Sequence, residues 1–378
     1  MKALNIGIAC YPTYGGSGVL ATELGLALAD AGHNVHLFSY ARPTRLAAWH
    51  KGIEFHSVSV SSYPLFRYPP YDLALSTVMR QVMVDHELDI LHVHYAVPHA
   101  ICAYVAREMV PDCRTRIITT LHGTDATILG RDPAYADVIR FGLDKSDAVV
   151  CVSDWLERQT RDLLGFTGEV DVLPNFVDHS RFKPPTDSLV RQQLGGDEFK
   201  LIVHMSNFRS LKRTPDTIEV MRRLPADLPV KLLLVGDGPD QALVRDLASQ
   251  HGLCHRVEFL GEIDEVESIM AAADVALFPS ESESFGLSML EAQACGVPVV
   301  ATNVGGLPEV IEHGVTGYLA EVGDCETMAR HVETLLRDEP LRKRMGDTGA
   351  TRAQRLFSLE SSMNQHVALY ERLLAEAP

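Results

Sequence analysis

The strongest restriction on the fold of this 378-residue chain is an alternation of short apolar runs with helical stretches that occurs twice. LNIGIACYP (4–12), NVHLFSY (34–40), DILHVHY (89–95), RIITTLHG (116–123) and DAVVCVS (147–153) read as strands. Between the first two lies VLATELGLALADAGH (19–33), an amphipathic helix closed by Gly32. After the Pro-rich, polar stretch LPNFVDHSRFKPPTDS (173–188) the pattern restarts with FKLIVHMSN (199–207), VKLLLVGDG (230–238), RVEFLGE (256–262), DVALFPS (274–280), VPVVATN (297–303) and GYLAEVG (317–323). Apolar strands alternating with helices predict parallel sheets covered on both faces. The length favours two cores over one. The expected layout is a first domain over 1–175, a linker over 176–198, a second domain over 199–355 and a helical tail over 356–378 that packs back on the first domain. In the tail, Leu356, Met363, Val367, Tyr370 and Leu374 fall close to helical spacing. Two doubly wound domains predict a cleft between them, with ligands at the carboxyl ends of the strands.

Composition excludes several classes. No apolar run approaches the roughly 20 residues that span a bilayer, which argues against a membrane protein. MKALNIGIACYP is broken too early for a secretion signal. The seven cysteines stand without a C-x-x-C pair, reading as thiols of a reducing cytoplasm. A net charge of −16 opposes a nucleic-acid surface, so an anionic ligand needs local cations and helix ends.

The loops carry the chemistry. In SESESFGLSMLEAQACGVPVV (280–300), Glu283 and Glu291 flank the start of a helix expected from Leu287 to Cys295. Free N–H groups and the helix dipole favour an anion there. The pair reads as a clamp on a ligand with both hydroxyls and phosphates. HMSNFRSLKRTPD supplies Arg209, Lys212 and Arg213 in a strand-end loop, the kind of basic group a diphosphate leaving group needs. YGGSG (14–18) follows the first strand, but G-x-G-x-x-G and the acidic residue of a nicotinamide site are absent. His122 ends the strand of LHGTD. His92 and His94 share a strand face with His99 close by, yet no carboxylate or Cys completes a metal-ligand spacing, and ordinary hydrogen bonding is the better reading. No D-x-D occurs, which disfavours a nucleotide sugar carried on a divalent cation.

Taken together, the E-x7-E element, LLLVGDGP, the Lys212 loop, LPNFVD, CGVPVVATNVGGLPEVI and GVTGYL resemble the retaining GT-B glycosyltransferases of family 4, over essentially the whole chain. CYPTYGGSGVLATELG, FRYPPYDL, HVHYAVPHA, TTLHGTD, IRFGL and HMSNFR are similar to the branch of that family that joins UDP-N-acetylglucosamine to L-malate, the first step of bacillithiol biosynthesis. The resemblance implies two Rossmann-like domains, no cofactor and no catalytic metal, small-molecule substrates, and leaves room for a homo-oligomer. By the same resemblance Glu291 receives the ribose, while Glu283 and the backbone of Ser284, Phe285, Gly286 and Leu287 hold the sugar hydroxyls. Lys212 with the N–H groups of Leu287 and Ser288 takes the diphosphate; Gly16, Asn207 and Arg209 complete the donor set. Asn207 stands where many relatives carry Arg, and Arg209 is the candidate to supply that charge. His122, Lys212 and Glu283 are the implied catalytic residues, and Ser17, Tyr95, Thr120, Arg140 and, more weakly, Arg67 the acceptor set. Glu283 and Glu291 being committed to hydroxyls, the implied chemistry is a front-face displacement with retention, the departing β-phosphate acting as base. The same donor motifs would serve a transferase acting on inositol phosphate or a sugar phosphate, a UDP-sugar epimerase or hydrolase, or a non-catalytic sensor.

Overall fold

The computed structural model describes residues 2–12, 16–60, 64–185 and 189–376. The chain divides into two compact units, 1–175 with 359–378, and 176–358. Residues 176–198, expected as a linker, count with the second unit, where Phe176, Val177 and Phe182 are buried.

Unit 1 is built on a seven-stranded parallel sheet of β1 (Asn5–Ala9), β2 (Asn34–Ser39), β3 (Ile53–Ser57), β4 (Ile90–His94), β5 (Arg116–Leu121), β6 (Ala148–Cys151) and β7 (Asp171–Val172), in the order β3-β2-β1-β4-β5-β6-β7. Ile6, Ile8, Ile90, Leu91 and Val93 in the central strands have essentially no exposure, as both-face cover demands. The edge strands β3 and β7 escape the apolar-run reading because their side chains are largely half-buried and polar. The helix Ser17–Asp30 starts two residues before the expected point and is capped by Ala31, with Gly32 left-handed behind it. The tail forms Leu359–Ala375 and belongs to unit 1, packing on Ser17–Asp30. Its buried face is Ser362, His366, Val367, Leu369, Tyr370 and Leu373, whereas Leu374 is partly exposed. Leu356 ends the preceding helix, so it belongs to a different helix from the rest of the expected stripe.

Unit 2 carries a six-stranded parallel sheet of β8 (Lys200–Met205), β9 (Val230–Val235), β10 (Val257–Gly261), β11 (Val275–Phe278), β12 (Val299–Thr302) and β13 (Gly317–Ala320), ordered β10-β9-β8-β11-β12-β13. The strand order reverses between β1 and β4 in unit 1 and between β8 and β11 in unit 2. Neighbouring crossovers leave these points on opposite faces, opening a crevice at the carboxyl end of each sheet.

Candidate active site

In unit 2 the loops after β8 and β11, the two strands at the reversal, supply Lys212 and Glu283. The β8 loop is held by close backbone packing. A Cβ at Gly236 or Gly238 would come within 2.0 Å of the carbonyl oxygens of Ser206 and Asn207, and both glycines have positive φ (108° and 156°). Phe208 anchors the loop in the core from a left-handed backbone. Beneath it His204 bonds the Leu277 carbonyl through Nδ1 at 2.8 Å, leaving Nε2 to the Ser206 hydroxyl at 2.9 Å. Burial above all pushes this imidazole down to about 4, so it is neutral. The two loops are then stitched directly, Glu281 N donating to Leu211 O at 2.8 Å.

Lys212 Nζ donates to Glu283 Oε1 at 2.7 Å, and Ser280 Oγ donates to the same oxygen at 2.9 Å. The side chains of the ion pair are 22% and 13% exposed, so the pair is sheltered while still open to a ligand. Ser280 is fixed in turn by Thr302 Oγ1, which donates to its carbonyl at 2.5 Å. Gly306 N donates to Glu283 O at 2.9 Å. Gly305 is left-handed at φ 59°, and a Cβ there would stand 1.8 Å from the same carbonyl. Gly286, also left-handed, opens the helix Leu287–Ala294 without a side-chain cap. The N–H groups of Leu287 and Ser288 therefore have no acceptor within the helix, and they stand four and five residues past Glu283. Ser284 is half-buried, Phe285 is buried edge-on to Phe357, and Glu291 is half-buried one turn into the helix. Asn207 and Arg209 are exposed on the β8 loop. The structure thus brings Lys212 together with Glu283 and the helix start. The sequence reading missed Ser280, His204 and Gly305. Of these only the Gly-Gly pair left a sequence signal.

In unit 1 the strand ends of β4 and β5 assemble a column of imidazoles. His92 Nδ1 meets the Tyr370 hydroxyl at 2.8 Å and its Nε2 the Thr120 hydroxyl at 2.7 Å. His92 stacks on His94 at 4.6 Å between centroids, and His94 Nδ1 meets His122 Nε2 at 2.9 Å. His99 Nδ1 donates to the His94 carbonyl at 2.6 Å. Both His92 nitrogens, His94 Nδ1 and His99 Nδ1 are thus engaged by hydroxyls, a carbonyl and another ring, while His94 Nε2 and His99 Nε2 are buried without a hydrogen-bond partner. Burial, with repulsion between neighbouring rings, drives His92 and His94 well below the ordinary histidine range. Burial alone takes His122 down to about 3. Asp125, whose Oδ2 accepts from His122 N at 3.3 Å, is raised by burial to about 7. Tyr95, left-handed at φ 74°, donates its N–H to Thr120 O at 2.9 Å and packs its ring against Tyr11 and His122.

The expected acceptor residues therefore divide. Tyr95, Thr120 and His122 lie together, with the Thr120 hydroxyl committed to His92. Ser17 is buried at the start of its helix beside left-handed Gly16; Tyr14 and Gly15 of the same motif fall outside the described residues. Arg140 and Arg67 meet sequence neighbours rather than Tyr95 or His122. Arg140 Nη2 is 3.8 Å from Asp137, and Arg67 stacks over Tyr68 at 5.5 Å. Tyr370 was read from sequence only as part of the helical stripe of the tail, and His366 and Asp125 were not singled out.

The family model described as Glycosyltransferase Family 4 matches residues 14–181, and that described as glycosyl transferases group 1 matches residues 187–352. The N-acetyl-alpha-D-glucosaminyl L-malate synthase of Bacillus anthracis is 44% identical over 374 residues, 99% of this chain and 98% of its own length. Among solved structures, sucrose-phosphate synthase from Thermosynechococcus elongatus superposes with a TM-score of 0.83 at 24% identity, over 99% of this chain and 100% of the other. Anabaena Alr3699/HepE, solved with UDP and glucose, gives 0.83 at 22% identity over the same shares. These two similarities establish the shared fold. No described helix is long and apolar enough to cross a membrane.

Proposed function

The chain belongs to the family 4 glycosyltransferases of GT-B fold, and from that membership we propose that it transfers N-acetylglucosamine from UDP-N-acetylglucosamine to the hydroxyl of L-malate, releasing UDP. The acceptor rests on the 44% identity, end to end, with the malate synthase of Bacillus anthracis. The observation that carries the donor site is the Lys212–Glu283 pair beside an uncapped helix start. Without donor, the ammonium and carboxylate satisfy each other. With donor, the diphosphate takes Lys212 and the N–H groups of Leu287 and Ser288, and the sugar hydroxyls take Glu283. Glu291 receives the ribose.

The reaction proceeds with retention and without a catalytic divalent cation. The malate hydroxyl attacks C1 from the face the diphosphate leaves, the glycosidic bond forms as the C1–O bond to the β-phosphate breaks, and the β-phosphate oxygen accepts the hydroxyl proton. Lys212 and the helix start stabilise the growing negative charge on UDP. His122, held neutral by burial, donates or accepts a hydrogen bond at the sugar without bringing a charge. Tyr95 and Ser17 supply donors for the acceptor, and Arg140 and Arg67, which meet Asp137 and Tyr68, add the cations a dianion needs only by turning their side chains towards it.

An acceptor panel tests the reading: UDP-N-acetylglucosamine incubated separately with L-malate, succinate, inositol phosphate and sugar phosphates, with products weighed by mass spectrometry. Malate alone of the panel is expected to gain the mass of one N-acetylglucosaminyl group. Faster transfer to inositol phosphate or a sugar phosphate would overturn the acceptor while leaving the donor site standing. UDP release without any acceptor would favour a hydrolase.

A further inference from the structure

Unit 1 gathers a second set of side chains at the opposite end of its sheet from Tyr95 and His122. His36 on β2 and Glu54 on β3 are register partners on adjacent parallel strands, which puts their side chains on one face. His86 ends the helix Tyr71–Asp85 over that face, and Asn5 Nδ2 fixes its carbonyl at 2.9 Å. Glu54 Oε2 lies 3.8 Å from His36 Nδ1 and 3.9 Å from His86 Nε2. One ligand atom from each of the three lies within 4.8 Å of the other two. The His36 and His86 ring centroids are 4.2 Å apart, and His56 Nε2 stands 3.0 Å from His36 Nδ1. Nothing in the transfer chemistry uses these residues.

We propose that His36, Glu54 and His86 bind one divalent transition-metal ion, zinc above all, with His56 as an adjacent fourth nitrogen. Two imidazoles and a carboxylate suit zinc and its first-row neighbours, whereas magnesium and calcium take oxygen-only sets. Ligands about 2.1 Å from a tetrahedral ion stand about 3.4 Å from one another, so Glu54 closes on each imidazole by a few tenths of an ångström. Glu54 and His86, with side chains 57% and 37% exposed, have the freedom to do so and give the ion a path from solvent, while buried His36 anchors the site. The bound ion ties β3, the edge strand beside β2, to the helix above it. Its effect is on the stability of unit 1, apart from turnover.

The test uses the full chain, dialysed against chelator and then titrated with zinc by calorimetry and with cobalt by visible absorption. Wild type is expected to bind one equivalent of zinc, to show the d–d bands of four- or five-coordinate cobalt, and to melt at higher temperature with zinc. Glu54→Gln and His86→Gln, both at exposed positions where the fold tolerates the change, are each expected to weaken binding at least tenfold and to lose the thermal shift. The metal-free protein keeps its transferase rate below the melting range. Absence of saturable zinc binding, or unchanged affinity in both variants, would overturn the site. Loss of turnover on zinc removal that zinc restores would overturn its separation from the chemistry.

Discussion

Removing the charge from Glu283 while keeping its oxygen, as in Glu283→Gln, leaves Lys212 Nζ and Ser280 Oγ an acceptor in the same place, so the loop holds its shape. What is lost is the charged hydrogen bond to a sugar hydroxyl, worth roughly 1.5–3 kcal/mol, or about one to two powers of ten. The loss is expected in kcat more than in donor affinity. Glu291→Gln is expected to show the reverse, weaker UDP binding by a similar factor, read by calorimetry. Lys212→Ala removes the cation from the leaving group and also strands a half-buried carboxylate, so turnover falls by at least two powers of ten. Full activity in all three variants would remove the donor site from these residues. Titration separates the two units at the same scale. Fully buried His204 is held near 4, against about 6.5 in an unfolded chain. Between those values the unfolded chain binds a proton that the folded one refuses, so stability is lost as pH falls from about 6.5 towards about 4. Asp125, raised to about 7, has the opposite sign: the folded chain keeps the proton, and stability is lost as pH rises from about 4 to about 7. Asp125→Asn removes that loss. Urea midpoints for wild type and variant should coincide near the acid end and separate in the variant's favour by up to about 4 kcal/mol above neutrality. Parallel midpoints across the whole range would contradict a protonated Asp125.

Among the elements, the turn at Gly305–Gly306 holds Glu283 through its backbone carbonyl, which accepts from Gly306 N at 2.9 Å. Gly305→Ala must either shift the Glu283 carbonyl, 1.8 Å from the new Cβ, or leave its left-handed backbone. The expected cost is about 2 kcal/mol or more, seen as a lower chemical-denaturation midpoint, together with slower transfer. A variant as stable and active as wild type would show that this contact does not position Glu283. The elements also show what could be read in advance. Eleven apolar runs were read as strands and became strands trimmed by a residue or more at one or both ends, because burial on both faces writes itself as continuous apolar sequence. The strand Ile53–Ser57 left no such trace: at the sheet edge its residues are half-buried or exposed. The E-x7-E pair and the Lys212 loop were visible as residue types at strand ends. That Lys212 and Glu283 touch depends on β8 lying beside β11, a pairing across more than seventy residues that no local pattern encodes. His36, Glu54 and His86 stayed invisible for the same reason, since sheet register and a helix end bring them together.

At the scale of the whole molecule, the donor is proposed to bind unit 2 through Lys212, Glu283 and Glu291, and malate is proposed to bind unit 1 through the residues around Tyr95 and His122. The central claim is retaining transfer to malate that needs no divalent cation. It is tested most directly by the proton NMR spectrum of the product formed from UDP-N-acetylglucosamine and L-malate in the presence of excess chelator. The expected spectrum shows a small anomeric coupling, that of an α-glycoside carried on the malate hydroxyl, with product formed at the rate seen without chelator. A large, β-type coupling, or a product that forms only when magnesium or manganese is restored, would contradict it.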